Sequence, residues 1–207
     1  ALFRAGTGSC TVVGGAMSVH GWLILDKPRE LGSTQAVAAV KRNLRQGGYG
    51  KAKVGHGGTL DPLAEGVLPI ALGEATKLAG RMLDASKIYD FTIRFGEQTD
   101  TLDTEGEIIA RSDHIPARED VAVVLARFTG PIEQVPPAYS ALKVDGQRAY
   151  DLARAGEQVE LAKRAVTIHA LDICDTGEGG VDREVTLRAN VSKGTYIRSL
   201  ARDVALA

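Results

Sequence analysis

Residues 53–70 read KVGHGGTLDPLAEGVLPI, and this stretch concentrates turn-forming and reactive residues. Its glycines permit positive φ angles or the close approach of a ligand to the backbone. Asp61 stands directly before Pro62, and a proline disfavours helix at the residue before it. A carboxylate on such a stiff loop suits nucleophilic or general-base chemistry. A simple Asp-Pro turn, with glycines that serve only geometry, explains the same residues without chemistry.

Around this stretch, the chain has the composition of an ordinary globular protein. It has 207 residues, of which 44% are hydrophobic and 25% are charged, and this balance excludes wholesale disorder. Its 2 cysteines form neither a disulfide framework nor a four-cysteine metal site. The glycines of the loop match neither a P-loop nor a dinucleotide fingerprint. We therefore predict no cofactor, no metal and no membrane association.

The net charge of -1 hides two segments of opposite sign. Residues 27–53 hold seven basic residues and one acid, whereas residues 97–120 hold eight acids and two arginines. A basic segment of this kind can face a polyanion, with the acidic segment turned away from it. Two solvated surfaces of opposite sign account for the pattern equally well.

Hydrophobic periodicity predicts strands and helices without strict βαβα alternation. The predicted strands are residues 22–25, 67–72, 88–95, 107–110, 166–173 and 184–191. The predicted helices are residues 33–46 (capped by Ser33 or Thr34), 75–83, 117–128, 147–154 and 195–206. We expect strand 107–110 to pair with 88–95, and strands 166–173 and 184–191 to form a hairpin around residues 177–180. The mixture predicts an α+β fold around a mixed, largely antiparallel sheet flanked by helices.

Three further segments carry candidate functional residues. Lys193 precedes a predicted helix start, where an anion can bind, and Arg198 can hold a carboxylate ionised. Tyr89, on a predicted strand, can stack on a base or ribose. Lys27 ends a predicted strand at Asp26-Lys27-Pro28. The plainer alternatives are a helix cap with a surface arginine, half-buried packing of the tyrosine and an ordinary turn.

In order along the chain, these segments resemble the motifs of the bacterial tRNA pseudouridine-55 synthase family, TruB. The resemblance runs from about residue 21 to residue 203. The matching motifs are LDKP at 25–28, GGTLDPLA at 57–64 with GVL at 66–68, KIY at 87–89 and KGTYIR at 193–198. A fifth, PAYSALK at 137–143, resembles the family's RNA-gripping thumb, which we place at about 135–165.

The resemblance implies a fold with a central RNA-binding cleft and isomerisation of uridine-55 in the T arm of tRNA. It assigns catalytic roles to Asp61, Arg198 and Tyr89, with Arg198 paired to Asp61. It assigns substrate-binding or supporting roles to His56, Tyr89, Tyr196, Lys27, Lys77 and Lys193. We also expect a monomer that acts on tRNA without an obligate protein partner. We expect a cytoplasmic location, because no export signal is visible.

The domain organisation follows from composition and from the same resemblance. Residues 1–16 hold a single Arg, no acid and four Gly, and they do not look like part of a core. We expect residues 1–16 to be a disordered extension before a natural start at Met17, and residues 17–207 to form the synthase domain, truncated at its C-terminus. Two other functions use the same fold: a non-catalytic RNA-binding module, and a guide-RNA-dependent synthase of the dyskerin type. The first does not require Asp61, and the second requires protein partners.

Overall fold

The computed structural model describes residues 11–13, 16–144, 146–157, 159, 161–174 and 183–207, in two compact units, 1–85 and 86–207. Strands β1 (Thr11–Val13) and β2 (Ala16–Ser18) form an antiparallel hairpin. The rest of the predicted extension 1–16 and the predicted turn at 177–180 lie outside the described residues. Within the described part, none of the helices has the length and apolarity needed to cross a bilayer.

The first unit is built on a three-stranded antiparallel sheet in the order β3-β5-β4. Its elements are β3 (Gly21–Lys27), α1 (Ser33–Gln46), β4 (Val54–His56) and β5 (Gly66–Leu72). Helix α1 buries Ala36 and Val37 in the same core as Leu68 and Ile70 of β5. The predicted strands 22–25 and 67–72 and the predicted helix 33–46 are confirmed.

The predicted helix 75–83 is wrong in its details. The chain instead forms a 3-10 helix at Gly73–Leu78, followed by a short helix α2 (Ala79–Asp84). None of the residues in either segment is buried. A continuous helix draws most of its stability from a packed apolar face, and this segment has none.

The second unit is built on a four-stranded antiparallel sheet in the order β6-β13-β12-β9. Its elements are β6 (Lys87–Arg94), β7 (Glu97–Thr99), β8 (Ile108–Arg111), α3 (Arg118–Arg127), β9 (Gly130–Gln134), β10 (Lys143–Val144), β11 (Gln147–Arg148), α4 (Ala149–Arg154), β12 (Arg164–Ile173), β13 (Glu184–Val191) and α5 (Ile197–Leu206). Helices α3 and α5 bury Leu125 and Leu200 in one core with Ile168 and Leu187 of the sheet. Every described strand pairing is antiparallel, and the predicted α+β class is confirmed.

Strand β8 pairs with β7, and the predicted pairing of residues 107–110 with 88–95 is therefore wrong. Gly96, with φ +97°, ends β6 and turns the chain into β7. Such a φ is readily adopted by glycine, which lacks a Cβ. After this turn, β7 and β8 form a separate two-stranded sheet, and β6 pairs along its whole length with β13.

Candidate active site

The loop that carries Asp61 is hydrogen-bonded on both sides of that residue. Before it, the Ser33 hydroxyl donates to the Leu60 carbonyl (2.9 Å) and accepts from the Leu60 N–H (3.0 Å). After it, the Pro62 carbonyl accepts from the N–H of Glu30 (2.8 Å). The Asp61 side chain itself is exposed. The backbone on both sides of Asp61 is therefore fixed, while the side chain of Asp61 is exposed.

Lys27 reinforces this loop from inside the first unit. It is fully buried at the end of β3. Its ammonium donates to three carbonyl oxygens, those of Pro28 (3.1 Å), Leu31 (2.7 Å) and Pro62 (3.1 Å). The side chain thus ties the strand end to the residue that follows Asp61. Lys27 does not belong to an exposed basic face, which corrects that part of the interpretation of segment 27–53.

The charge of Lys27 is disfavoured by burial and favoured by nearby acids. Burial lowers the pKa of Lys27, while the negative charges of Asp61 and Glu65 partly oppose that shift. A buried ammonium with three carbonyl acceptors has its hydrogen-bonding capacity satisfied. Lys27 therefore acts as a structural cation beside Asp61.

His56 and Gly57 lie at the start of the same loop, beside β5. His56 is half-buried and pairs with Ile70 in the sheet. Its Nδ1 is buried without a hydrogen-bond partner in the part of the chain that the structure describes. A Cβ on Gly57 would lie 2.7 Å from the Met82 Cβ, so only glycine fits there. The glycine at 57 thus serves packing, while the ring of His56 is held at the edge of the sheet.

Lys77 lies in a basic cavity of the first unit. It is exposed and forms an ion pair with Glu74. The cavity, of about 500 Å³, is also lined by His20, Lys51 and Lys53. Glu74 has a lowered pKa, first because it accepts a hydrogen bond from Lys77 and also because of the charges of Lys77, His20 and Lys53. A single carboxylate faces three lysines, and the cavity has an excess of positive charge.

Tyr89 lies in β6 of the second unit, opposite Ala189 of β13. It is partly buried and packs against the core of that unit. The structure therefore places Tyr89 in the packing position that the plainer alternative predicted, and its contact with substrate stays a prediction.

Lys193 and Tyr196 occupy the turn between β13 and α5. Lys193 is exposed and is followed by Gly194, whose φ is +77°. The N–H of Tyr196 donates to the Gln134 Oε1 (2.8 Å), and the guanidinium of Arg164 lies 6.0 Å from the centre of the Tyr196 ring. Gln134 is 1% exposed. The helix start is thereby anchored to the end of β9.

Arg198 is held in the second unit by two carbonyls and one carboxylate. Its Nη1 donates to the carbonyl of Thr101 (2.9 Å), and its Nη2 to that of Tyr139 (3.0 Å). Its Nη1 also lies 3.4 Å from the Asp103 Oδ2. Asp61 belongs to the first unit and Arg198 to the second, and the pairing of these two residues stays a prediction.

A protein-family model matches most of this chain. Residues 45–197 match the model of the TruB family pseudouridylate synthase N-terminal domain. The chain belongs to this family. The predicted resemblance to TruB is therefore confirmed, and the matched range contains the Asp61 loop, β6 and the start of α5.

Curated relatives agree with this TruB assignment. The chain is 70% identical over 190 residues to the tRNA pseudouridine synthase B of Novosphingobium aromaticivorans, covering 91% of this chain and 62% of the relative. It is 60% identical over 188 residues to the tRNA pseudouridine synthase B of Zymomonas mobilis, covering 91% of this chain and 61% of the relative. The chain thus spans about three fifths of the length of these relatives.

Solved structures share the fold of this TruB chain. A crystal structure of a Cbf5-Nop10-Gar1 complex matches with a TM-score of 0.64 and 30% identity, over 90% of this chain and 44% of that one. An H/ACA RNP bound to a substrate RNA containing 2'-deoxyuridine matches with a TM-score of 0.60 and 27% identity, over 90% of this chain and 42% of that one.

Sequence reasoning missed several residues that hold the site. The sequence predicts Ser33 or Thr34 as the cap of the helix, but the N-cap is Gly32 and the Ser33 hydroxyl binds Leu60. Asp103 was expected only as part of an acidic face, yet it is partly buried against Arg198. The sequence contains no signal for either contact, because each joins segments that only the fold brings together.

Proposed function

We propose that the full-length protein containing this chain is a tRNA pseudouridine synthase that converts uridine-55 of the T arm into pseudouridine. The observation that carries the proposal is the Asp61 loop, in which an exposed carboxylate stands on a backbone hydrogen-bonded at both neighbouring residues. The loop lies within the range that matches the TruB family model. The names of the relatives support tRNA as the substrate.

The reaction needs no change of oxidation state and no hydrolysis. The N1–C1′ glycosidic bond breaks, a C5–C1′ bond forms, C5 loses its proton and N1 gains one. Attack of Asp61 on ribose C1′, attack on base C6 and stabilisation of a glycal-like species all require an ionised carboxylate. In the proposed mechanism, the guanidinium of Arg198 pairs with the negative charge of the Asp61 carboxylate.

The uridine must leave its stack before Asp61 reaches it, which costs roughly a few kcal/mol. In the proposed mechanism, the imidazole of His56 takes the space that the base vacates. Tyr89 and Tyr196 hold the extruded nucleotide by stacking. These contacts offset the energy of unstacking.

Phosphate contacts supply much of the affinity for RNA and make it dependent on salt. We assign this role to Lys77 in the basic cavity and to Lys193 at the turn before α5. Both side chains are exposed. Lys27, being buried, supports the loop of Asp61 and does not contact RNA in this proposal.

A guide-RNA-dependent synthase is the second candidate, because the matched solved structures are a Cbf5-Nop10-Gar1 complex and an H/ACA RNP bound to a substrate RNA. The experiment that separates the two uses the full-length polypeptide alone and a tRNA transcript tritiated at uridine C5. We expect tritium release from this transcript and none from a transcript with cytidine at position 55. Release only after guide RNA and partner proteins are added would favour the second candidate, and equal release from both transcripts would contradict the assigned position.

A further inference from the structure

The hydroxyl of Ser33 makes two hydrogen bonds to one residue, the one that precedes Asp61. It donates to the Leu60 carbonyl at 2.9 Å and accepts from the Leu60 N–H at 3.0 Å. We propose that Ser33 is a positioning residue, which sets the direction of the Asp61 carboxylate by fixing the backbone of Leu60. The proposal rests on the proposed function, since it concerns the orientation of the proposed catalytic residue.

The peptide planes around Asp61 explain why these two bonds matter. Peptide groups are planar, and a residue turns only about φ and ψ between its two planes. Ser33 holds the oxygen of the plane that enters Asp61, while the oxygen of the plane that leaves it accepts from the Ala64 N–H (3.0 Å). Both planes that define the φ and ψ of Asp61 therefore carry a hydrogen bond. Ser33 is the side chain responsible for the first.

Ser33 is held in place by its burial at the start of α1. Its residue is 4% exposed, at the first position of α1. The same helix buries Ala36 (1% exposed) and Val37 (9%) in the core of the first unit. The hydroxyl is thus carried by a helix that packs on the core, and its hydrogen bonds fix the Asp61 loop relative to that core.

The hydroxyl is available for Leu60 because the helix is capped without it. The N–H of the cap residue Gly32 donates to the Gln35 Oε1 at 2.9 Å, and the Gly32 carbonyl accepts from Ala36 at 3.0 Å. A serine near a helix start commonly caps its own helix. Here its hydroxyl makes its two hydrogen bonds with the catalytic loop. The serine hydroxyl oxygen acts as the donor in one of these bonds and as the acceptor in the other.

A positioning role predicts a loss of rate that exceeds any loss of stability. Misplacement of a reacting group by 1 Å lowers a rate by about 100-fold. We therefore expect Ser33→Ala to reduce the single-turnover rate of tritium release by about 10-fold to 100-fold, while the tRNA Kd stays within about twofold. Val37→Ala is the matched control, because it removes packing from the core against which Leu60 lies and keeps both hydrogen bonds between Ser33 and Leu60.

Amide hydrogen exchange at Leu60 tests the contact without any variant. In the full-length wild-type protein we expect the Leu60 amide to be protected although it lies in a loop, and Ser33→Ala to accelerate its exchange with no change at Leu68 in β5. Exchange of the wild-type Leu60 amide at the rate of an open loop would overturn the proposal. So would a Ser33→Ala rate within about threefold of wild type, or an equal loss of rate in Val37→Ala.

Wild type and Asp61→Asn, assayed beside these variants, separate this proposal from the proposed function. If wild type is active, Asp61→Asn is inactive and Ser33→Ala matches wild type, then the positioning role alone is wrong. If Asp61→Asn retains wild-type activity, the proposed function of Asp61 is wrong, and so is the positioning role that depends on it.

Discussion

The guanidinium of Arg198 lies 3.4 Å from the carboxylate of Asp103, between Nη1 and Oδ2, and the two side chains are only 15% and 20% exposed. Partly buried pairs of this kind are screened little by solvent. Asp103 therefore fixes the position of the arginine that we assign to catalysis. An acid in the middle of the negatively charged segment 97–120 thus has a specific partner.

The Asp103–Arg198 pair predicts a loss of activity when its charge is removed. We expect Asp103→Asn to lower the rate of tritium release by about 10-fold to 100-fold, because Arg198 loses its ion pair with Asp103 and keeps only its bonds to the Thr101 and Tyr139 carbonyls among those described above. Asp90→Asn is the matched control, since Asp90 pairs with Arg188 on an exposed face, where the side chains are 50% and 57% exposed. Equal rates for the two variants would show that Asp103 has no special role.

Arg198 donates hydrogen bonds to the carbonyls of Thr101 and Tyr139, and the Tyr139 side chain links these two segments. Its hydroxyl donates to the Asp100 Oδ2 at 3.0 Å, and its carbonyl accepts from Arg198. The hydrogen bond to Asp100, together with burial, raises the pKa of Tyr139 above its ordinary value of 10.0. The folded protein therefore keeps this proton at a pH where the unfolded chain releases it.

The raised pKa of Tyr139 predicts a pH dependence with a definite sign. The stability that it contributes is fully present below pH 10.0 and is lost as pH rises from there through the folded-state pKa. We expect the melting temperature of Tyr139→Phe to fall less steeply than that of wild type above this pH. Thermal unfolding between pH 8 and pH 11 measures it, with Tyr150→Phe as the control. Parallel curves for Tyr139→Phe and wild type would contradict the assignment.

Strands and helices with a strong local hydrophobic pattern were predicted correctly from the sequence. The alternation of apolar and polar residues in β6 and the apolar stripes of α1 and α5 indicate that one face of each element is buried. Burial of that face stabilises the element. The partner of β8 could not be predicted, because pairing depends on the turn at Gly96 and on which strand edge is free.

The site shows the same division between local and long-range information. Asp61 and Lys27 were singled out as candidates through their motifs. The burial of Lys27 was not predicted, because a lysine at a strand end is usually solvated. The contacts of Ser33 with Leu60 and of Asp103 with Arg198 join distant segments. Neither periodicity nor composition contains that information.

The buried ammonium of Lys27 predicts a large effect on stability. Lys27→Met keeps the length of the side chain and removes the ammonium from the carbonyl oxygens of Pro28, Leu31 and Pro62. The Pro62 oxygen keeps its hydrogen bond from the Glu30 N–H. We expect the free energy of unfolding to fall by about 2 kcal/mol. Lys53→Met, at an exposed lysine of the same unit, is the control and is expected to change it by less than about 0.5 kcal/mol. Similar denaturation midpoints for the two variants would contradict the role of Lys27.

The basic cavity predicts a salt-dependent contribution to RNA binding. We expect Lys53→Glu with Lys77→Glu to weaken tRNA binding and to flatten the dependence of log K on log salt by about one unit or more, because phosphate contacts are lost. Arg111→Glu, an exposed substitution in the second unit, is the charge control. Filter binding across salt concentrations gives the slopes. An unchanged slope in the double variant would place the RNA elsewhere.

The central claim is that the carboxylate of Asp61 carries the chemistry, and Asp61→Asn tests it most directly. The substitution keeps the shape of the side chain and removes its negative charge. Single-turnover tritium release at saturating enzyme excludes binding as the cause of any loss. The account predicts release below detection with tRNA affinity unchanged or slightly tighter. Release within tenfold of wild type would contradict it, and Asp61 would then be an ordinary turn residue before Pro62.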